Sequence, residues 1–153
     1  MSIAVKDASP MDRYRASLKK LSLKATPQRL AVHEAMLNLG HACADQVAEW
    51  INDRGATHIT IASVYNILSQ MALAGIYRHR MSSNNKMYFD VNTSRHMHLY
   101  DVCNNSYKDI FNEELQKKVE DVLMKQKFKG YKVDGVDIQI ICHPSHRKAP
   151  LSF

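Results

Sequence analysis

The sequence predicts an α+β fold made of two small units, a helical N-terminal unit that ends in a β-hairpin and a smaller α/β unit. Apolar residues recur at helical spacing before Gly75, and two short strand patterns then surround the turn sequence SSNN. A polar link precedes a segment in which strand patterns flank one amphipathic helix. We therefore expect a first domain at residues 1–89, a hinge at residues 90–94 and a second domain at residues 95–153.

The first helices are delimited by residues that favour helix ends. A short basic helix is predicted over residues 10–21. Thr26 and Pro27 indicate the start of the next helix, because Thr is a good N-cap and Pro is favoured at the first helical position. Gly40 indicates its end, since glycine adopts the left-handed conformation that often follows a helix. A third helix is predicted over residues 44–54, before another glycine.

The fourth predicted helix, between Thr60 and Gly75, has two different faces. One face is apolar at helical spacing and should pack in the core. The other face carries Ser63, Tyr65, Asn66 and Ser69. Short hydrogen-bonding side chains of this kind can read base edges in a DNA groove, although an ordinary polar surface has the same composition.

Strands are predicted over residues 76–81 and 86–89, directly after these helices. Helices followed by a hairpin form a winged helix-turn-helix, a common DNA-binding arrangement. The hairpin carries the basic side chains Arg78, His79, Arg80 and Lys86. They are suited to contact phosphates, which would supply affinity rather than sequence choice.

The second domain is predicted to contain three strands and one helix. The strands are expected near residues 98–102, 107–111 and 136–142, and the helix near residues 112–127. A unit this small does not bury much apolar surface alone, so we expect its sheet and the last strand to pack against a second copy of the chain. The tail after the last strand is expected to be a loop.

Charge and cysteine content restrict the class of protein. Lys and Arg total 21 against 15 Asp and Glu, and the net charge of +6 suits an anionic partner. Cys43, Cys103 and Cys142 are odd in number and widely spaced, which indicates a reducing compartment. No apolar run reaches the length of a membrane span and no signal peptide is recognisable, so we expect a cytoplasmic protein without a membrane partner.

Potential metal ligands are concentrated between Tyr88 and His98. Asp90, His96 and His98 lie within this stretch. If the two histidines are on a strand, their side chains point to the same face and can reach one ion. The residues by themselves leave open a turn aspartate followed by two solvated histidines.

Four sequence blocks in order, TPQRLAVHEAM, HACADQVAEWI, ITIASVYNILSQMALAGI and YFDVNTSRHMH, resemble the ferric uptake regulator (Fur) family of bacterial metal-responsive repressors. The resemblance extends over about residues 20–142. It implies a winged-helix N-terminal domain, a dimerising α/β C-terminal domain and a metal site where the two meet. It also implies a homodimer that binds double-stranded operator DNA and is not an enzyme.

The resemblance further implies the residues of both sites. The regulatory metal would be held by His41, Asp90, His96, His98 and Asp109. Three imidazoles and two carboxylates suit Fe(II) or Mn(II), and Zn(II) at the same site. For DNA, the resemblance points to Tyr65 as a base contact and to Lys24 as a minor-groove probe, beside Ser63 and Asn66 on the same helix as Tyr65. Arg29 is either a surface charge or a phosphate contact.

The resemblance leaves more than one signal open to which the protein could respond. Asp109, where iron sensors more often have Glu, favours the PerR-like peroxide-sensing branch, in which His41 and His96 would be the residues oxidised. YFDVNTS and VYN also resemble the Irr branch, which responds to iron and haem, although Met97 departs from that branch's third consecutive histidine. A hypothesis of a different class is a small metalloenzyme that uses the same ligands.

The structural zinc of many family members is not expected, because the two CxxC pairs that hold it are missing. The positions of the first pair are Asp101 and Asn104, and the second retains only Cys142. A second metal site formed by Cys103 and Cys142 with His143 or His146 remains open from ligand type alone. The alternative is that both cysteines are ordinary buried thiols.

Overall fold

The computed structural model describes residues 8–82 and 84–150. The chain divides into two compact units, one that extends to Thr93 and one that begins at Ser94. The predicted α+β class is confirmed, and each unit is described below by itself. In the described residues, no helix is long and apolar enough to cross a membrane.

The helices of the N-terminal unit begin and end near the predicted residues. They are α1 (Pro10–Lys20), α2 (Pro27–Leu39), α3 (Ala44–Arg54) and α4 (Ile61–Leu73). The hydroxyls of Ser9, Thr26 and Thr60 each accept a hydrogen bond from a backbone N–H of the first helical turn. Gly40 follows α2 with a φ of 75°, a conformation that costs glycine little. The capping residues of the sequence therefore account for most helix ends.

A small antiparallel sheet completes the N-terminal unit. Its strands are β1 (His41–Cys43), β2 (Arg78–Met81) and β3 (Met87–Asp90), in the order β1-β3-β2. β1 was not predicted, because a three-residue strand has no recognisable pattern until β3 pairs with it. Asp90, predicted to belong to the polar link, is instead the last residue of β3. Ser83, in the predicted turn of the hairpin, lies outside the described residues.

The apolar faces of the helices form the core of this unit. Val32, Met36, Val64, Leu68 and Met71 are completely buried. Helical spacing also places Leu39 of α2 and Ile61 of α4 on the apolar faces, but both side chains are exposed. Leu39 is the last residue of α2, and Ile61 is the first residue of α4.

The C-terminal unit contains one helix and a mixed sheet. Its elements are β4 (Met97–Asp101), β5 (Ser106–Ile110), α5 (Glu113–Met124) and β6 (Gln139–Cys142). β4 is central, antiparallel to β5 and parallel to β6. The helix ends earlier than predicted, at Met124, and β6 begins later, at Gln139, which is the first residue in register with β4.

Large apolar side chains remain exposed on this unit in the single chain. Phe111 is 68% exposed, Val122 62% and Tyr131 83%, and both Ile140 and Ile141 of β6 are also exposed. Helical spacing places Leu115, Val122 and Leu123 on the apolar face of α5, and all three side chains are exposed in the single chain. The C-terminal unit therefore presents apolar surface that its own helix and sheet do not cover.

Candidate functional site

Two of the predicted metal ligands meet in the N-terminal sheet. β1 and β3 pair so that His41 lies directly opposite Asp90. The His41 Nε2 atom is 2.9 Å from Asp90 Oδ2, and the other carboxylate oxygen of Asp90 accepts the backbone N–H of Asn92 at 2.8 Å. Asp90 is 5% exposed. The pairing of β1 with β3 thus places one imidazole and one oriented carboxylate together in the N-terminal unit.

The other three predicted ligands meet in the C-terminal sheet. Asp109 of β5 lies opposite His98 of β4, and His96 lies two residues before His98. The Asp109 Oδ1 atom is 3.0 Å from His96 Nε2 and 3.8 Å from His98 Nε2. Both imidazoles are buried, and the ring centroids are 4.4 Å apart. β4 begins at Met97, so His96 directly precedes the strand rather than belonging to it, and both imidazoles face Asp109.

Hydrogen bonding determines which nitrogen of His96 can bind a metal. The Nδ1 atom lies 2.6 Å from the carbonyl oxygen of Ser94. Because a carbonyl oxygen only accepts, Nδ1 carries the proton and donates. The lone pair of a neutral ring is then on Nε2, which faces Asp109. This is the arrangement that metal-binding histidines usually have, with the second nitrogen held by an oxygen acceptor.

Asp137 is a candidate functional residue that sequence reasoning missed. Its Oδ1 atom is 3.8 Å from His98 Nδ1, on the side of the ring opposite Asp109. The parallel pairing of β4 with β6 brings Asp137 to His98, and no motif spacing in the sequence predicts that contact. A carboxylate in this position can orient the imidazole and raise its basicity as a ligand.

The ligand types in both units fit a divalent transition metal. Imidazole and carboxylate together suit Fe(II), Mn(II) and Zn(II), whereas Ca²⁺ prefers oxygen ligands alone. In the C-terminal set, one potential ligand atom from each of His96, His98 and Asp109 lies within 4.8 Å of the others. That spacing is what ligands around one ion require.

The cysteines do not extend these sets. Cys43, Cys103 and Cys142 are free thiols. Cys142 Sγ donates to the carbonyl oxygen of Tyr100 at 3.3 Å, and burial raises the pKa of this thiol. Among the described residues, neither Cys103 nor Cys142 belongs to a cluster of three or more potential ligands. The described residues therefore give no support for a second metal site with His143 or His146, and both cysteines are half-buried free thiols.

The predicted DNA-reading face of α4 is accessible. Tyr65 is 46% exposed and Asn66 is exposed beside it. Ser63 is half-buried, and its hydroxyl accepts a hydrogen bond from Thr60 Oγ1 at 3.0 Å. The Tyr65 ring contacts the buried Phe89 ring edge to face, with centroids 6.3 Å apart. The contact with Phe89 holds the Tyr65 ring, so its hydroxyl is well suited to contact a nucleic-acid base or a phosphate.

Arg29 connects the loop after α1 to α4. Its guanidinium donates from Nη1 to the Lys24 carbonyl oxygen at 2.7 Å and from Nη2 to Gln70 Oε1 at 3.0 Å. Lys24 itself is exposed. Neither of the two roles considered from the sequence, surface charge or phosphate contact, anticipated this bridge. Arg29 holds the backbone of Lys24 at a set position relative to α4.

The basic residues of the hairpin are not equally available for contact with phosphates. Arg78 and His79 are exposed, and Arg80 is half-buried. Lys86 forms an ion pair with Asp45 at the start of α3, and this hydrogen bond raises the pKa of Lys86. A lysine already paired with a carboxylate is less available to a phosphate, so Arg78 is the better candidate for a backbone contact.

The sequence profile of the Ferric uptake regulator family matches residues 20–139 of this chain. Over 85 residues the chain is 29% identical to the peroxide-responsive repressor PerR of Staphylococcus epidermidis, an alignment that covers 55% of this chain and 56% of that protein. The chain thus spans a little over half the length of this curated relative.

Matches to solved structures cover a larger part of this chain than the sequence alignment does. The Vibrio cholerae ferric uptake regulator superposes with a TM-score of 0.72 at 21% identity, over 86% of this chain and 99% of that one. The Pseudomonas aeruginosa ferric uptake regulator, solved with manganese, gives a TM-score of 0.64 at 19% identity, over 86% of this chain and 97% of that one. At these identities the likeness shows a shared fold.

Proposed function

Since this chain belongs to the ferric uptake regulator family, we propose that it is a metal-dependent transcriptional repressor that binds double-stranded operator DNA as a homodimer. The observation that carries the proposal is the pair of ligand sets, His41 with Asp90 in one unit and His96, His98 and Asp109 in the other. The members of this family are transcription regulators, which removes the metalloenzyme alternative.

We propose that the two ligand sets share one ion. An ion bound by residues of both units restricts the angle between the DNA-binding unit and the dimerising unit. Metal occupancy then favours the shape of the dimer that fits an operator. The size of this shift is limited by the difference in metal affinity between the two shapes.

Fe(II) or Mn(II) is the proposed physiological metal, with Zn(II) as a further occupant of the same site. The mixture of imidazole and carboxylate does not select among these ions, so geometry and supply decide. The match to a peroxide-responsive repressor and the presence of Asp109 support the proposal that this chain is a peroxide-responsive member of the family. Fe(II) held by these ligands would supply electrons to peroxide, and His41 and His96 are the proposed sites of oxidation.

Operator binding is assigned to the N-terminal unit. Tyr65 and Asn66 are the proposed base-reading residues, with Ser63 at the start of the same helix. Lys24 is proposed to enter the adjacent minor groove, with its backbone held by Arg29. The excess of basic over acidic side chains supports binding to an anionic polymer in the cytoplasm.

The C-terminal unit is proposed to form the homodimer. The exposed Phe111, Val122 and Tyr131, with Ile140 and Ile141, provide apolar surface that a second copy can bury. Homodimers with closed two-fold symmetry are the commonest protein assemblies, and their interfaces are more apolar than the remaining surface.

Operator binding by ligand variants tests the proposal. A duplex that binds the Mn(II)-loaded protein is first selected from a random pool, and its affinity is then measured by fluorescence anisotropy with and without metal. We expect Asp90→Asn and His96→Gln to abolish the metal-dependent gain in affinity. Matched changes at exposed residues, Asp53→Asn and His58→Gln, should leave it intact. Equal metal dependence in all four variants would refute the site.

A separate measurement tests the peroxide response. The Fe(II)-loaded and Mn(II)-loaded proteins are treated with peroxide, digested and examined by mass spectrometry. We expect addition of one oxygen atom at His41 or His96 only in the Fe(II)-loaded sample, together with loss of operator binding. Oxidation restricted to methionines would contradict the peroxide-responsive assignment.

A further inference from the structure

The N-terminal unit contains a cleft that none of the proposed sites uses. Its volume is about 570 Å³, and it lies between α1, α2 and the turn after α4. This volume falls within the range of small-molecule sites in proteins. None of the five proposed metal ligands lines the cleft, and neither do the proposed DNA-reading residues.

His33 is a buried polar residue at this cleft. It is 7% exposed and lies among the lining residues, stacked against the Tyr14 ring with centroids 3.9 Å apart. Its Nδ1 atom is 2.8 Å from the hydroxyl of Tyr77, which does not line the cleft. The ring edge that faces the cleft therefore carries Nε2. Within the described residues, no hydrogen bond involves that nitrogen.

The Tyr77 hydroxyl indicates which nitrogen of His33 carries the proton. Tyr77 is 2% exposed, and burial raises the pKa of its phenol, so the hydroxyl retains its hydrogen. In the described residues its only hydrogen-bond partner is His33 Nδ1, and a buried O–H needs an acceptor. The hydroxyl therefore donates to Nδ1, and Nε2 carries the proton of the neutral ring. An N–H donor thus faces the cleft.

The remaining lining of the cleft includes cationic and apolar side chains. Arg13 and Lys20 of α1 are exposed lining residues, and none of the described lining residues is acidic. The apolar side is formed by Leu21, Leu37, Ile76 and Val91, of which the two leucines are exposed large side chains. A buried donor, two cations and an apolar wall are complementary to an anionic head on an apolar body.

We propose that this cleft binds an amphipathic carboxylic acid. The carboxylate accepts from His33 Nε2–H and is attracted by Arg13 and Lys20, while the hydrocarbon part packs on the leucines of the apolar wall. Neither the proposed metal site nor the proposed DNA surface explains a buried N–H donor at this position. The inference does not depend on the proposed function, because neither ion nor operator takes part in it.

Octanoate is a suitable probe, with 1-octanol as a neutral compound of the same chain length. Each is titrated into the full-length, Zn(II)-loaded protein, and binding is followed by the backbone amide resonances of α1 and α2 in NMR spectra. We expect saturable shifts with octanoate and at least about tenfold weaker binding of 1-octanol, because charge-assisted hydrogen bonds are lost. The nitrogen spectrum of His33 should show the Nε2–H tautomer.

Charge variants on one helix give a matched control. Arg13→Gln combined with Lys20→Gln should weaken octanoate binding about tenfold, whereas Arg15→Gln combined with Lys19→Gln should change it less than about twofold. All four side chains are exposed on α1, and Arg15 and Lys19 do not line the cleft. Equal effects of the two double variants would overturn the proposed site.

A variant of the buried donor completes the test. His33→Phe combined with Tyr77→Phe removes both members of the hydrogen bond and keeps two aromatic rings, so the fold should be retained. We expect this variant to lose the preference for octanoate over 1-octanol. Equal binding of the two compounds by the unmodified protein, or failure of octanoate to saturate, would refute the proposal.

Discussion

His98 lies between two carboxylates, with Asp109 Oδ1 3.8 Å from its Nε2 atom and Asp137 Oδ1 3.8 Å from its Nδ1 atom. The two acids approach His98 from the two neighbours of β4, since Asp109 belongs to β5 and Asp137 lies two residues before the first residue of β6. If Asp109 shares the proposed metal with His98 Nε2, Asp137 would be the carboxylate that orients the ring from its other nitrogen.

We expect substitution of these two carboxylates to reduce metal affinity to different extents. Asp109→Asn should lower the Zn(II) affinity about 100-fold, and Asp137→Asn about tenfold, because a carboxylate that only orients a ligand contributes less than the ligand itself. Competition with a chelating dye measures both. Asp134→Asn, at an exposed position on the same segment, is the control. An effect of Asp137→Asn no larger than that of the control would exclude its orienting role.

Arg29 is predicted to act through geometry rather than through charge alone. Arg29→Lys keeps the charge but cannot donate to both the Lys24 carbonyl and Gln70, so operator affinity should fall roughly three- to tenfold. The salt dependence of binding should stay the same, because the number of phosphate contacts is unchanged. Arg15→Lys on α1 is the control. Full affinity of Arg29→Lys would show that the bridge is not needed.

The exposed apolar surface of the C-terminal unit gives a prediction about assembly. Val122→Glu should weaken the dimer at least about tenfold, because it places a charge in a surface proposed to be desolvated. Leu73→Glu, at an apolar residue of the N-terminal unit that is 89% exposed, should leave the dimer unchanged. Analytical ultracentrifugation measures both. A dimer unaffected by Val122→Glu would require a different interface.

His33 should make the stability of the protein depend on pH. Burial lowers the pKa of His33 from 6.5 to about 4, so the unfolded chain binds this proton more readily than the folded chain does. The free energy of unfolding contributed by His33 is therefore fully present above about pH 6.5, and it decreases as the pH falls toward 4.

Denaturant unfolding at several pH values measures this contribution. Between pH 4 and 6.5, the slope of the free energy of unfolding against pH should be smaller in the His33→Phe, Tyr77→Phe variant than in the unmodified chain. The difference should correspond to up to about one proton taken up on unfolding. His58→Gln, at an exposed histidine, should leave the slope unchanged. An identical slope in the double variant would mean that His33 titrates alike in the folded and unfolded chains.

Local signals in the sequence determined the helical part of the fold. Thr26, Pro27 and Gly40 specify α2 because capping depends on residues within one turn of the helix end. The apolar spacing of α4 likewise identified its core face, including Val64 and Leu68. The spacing of His96 and His98 predicted a shared face only if both histidines lay on a strand, and the residues by themselves left that condition open.

Contacts between distant segments were decided only by the tertiary structure. β1 exists because β3 pairs with it, and that pairing makes His41 face Asp90. Asp137 reaches His98 through the parallel pairing of β6, and Tyr77 reaches His33 across 44 residues. Strand pairing and burial depend on which segments the whole chain brings together, so no local spacing predicts them. Family resemblance, rather than residue pattern, supplied Asp109 and His41 in advance.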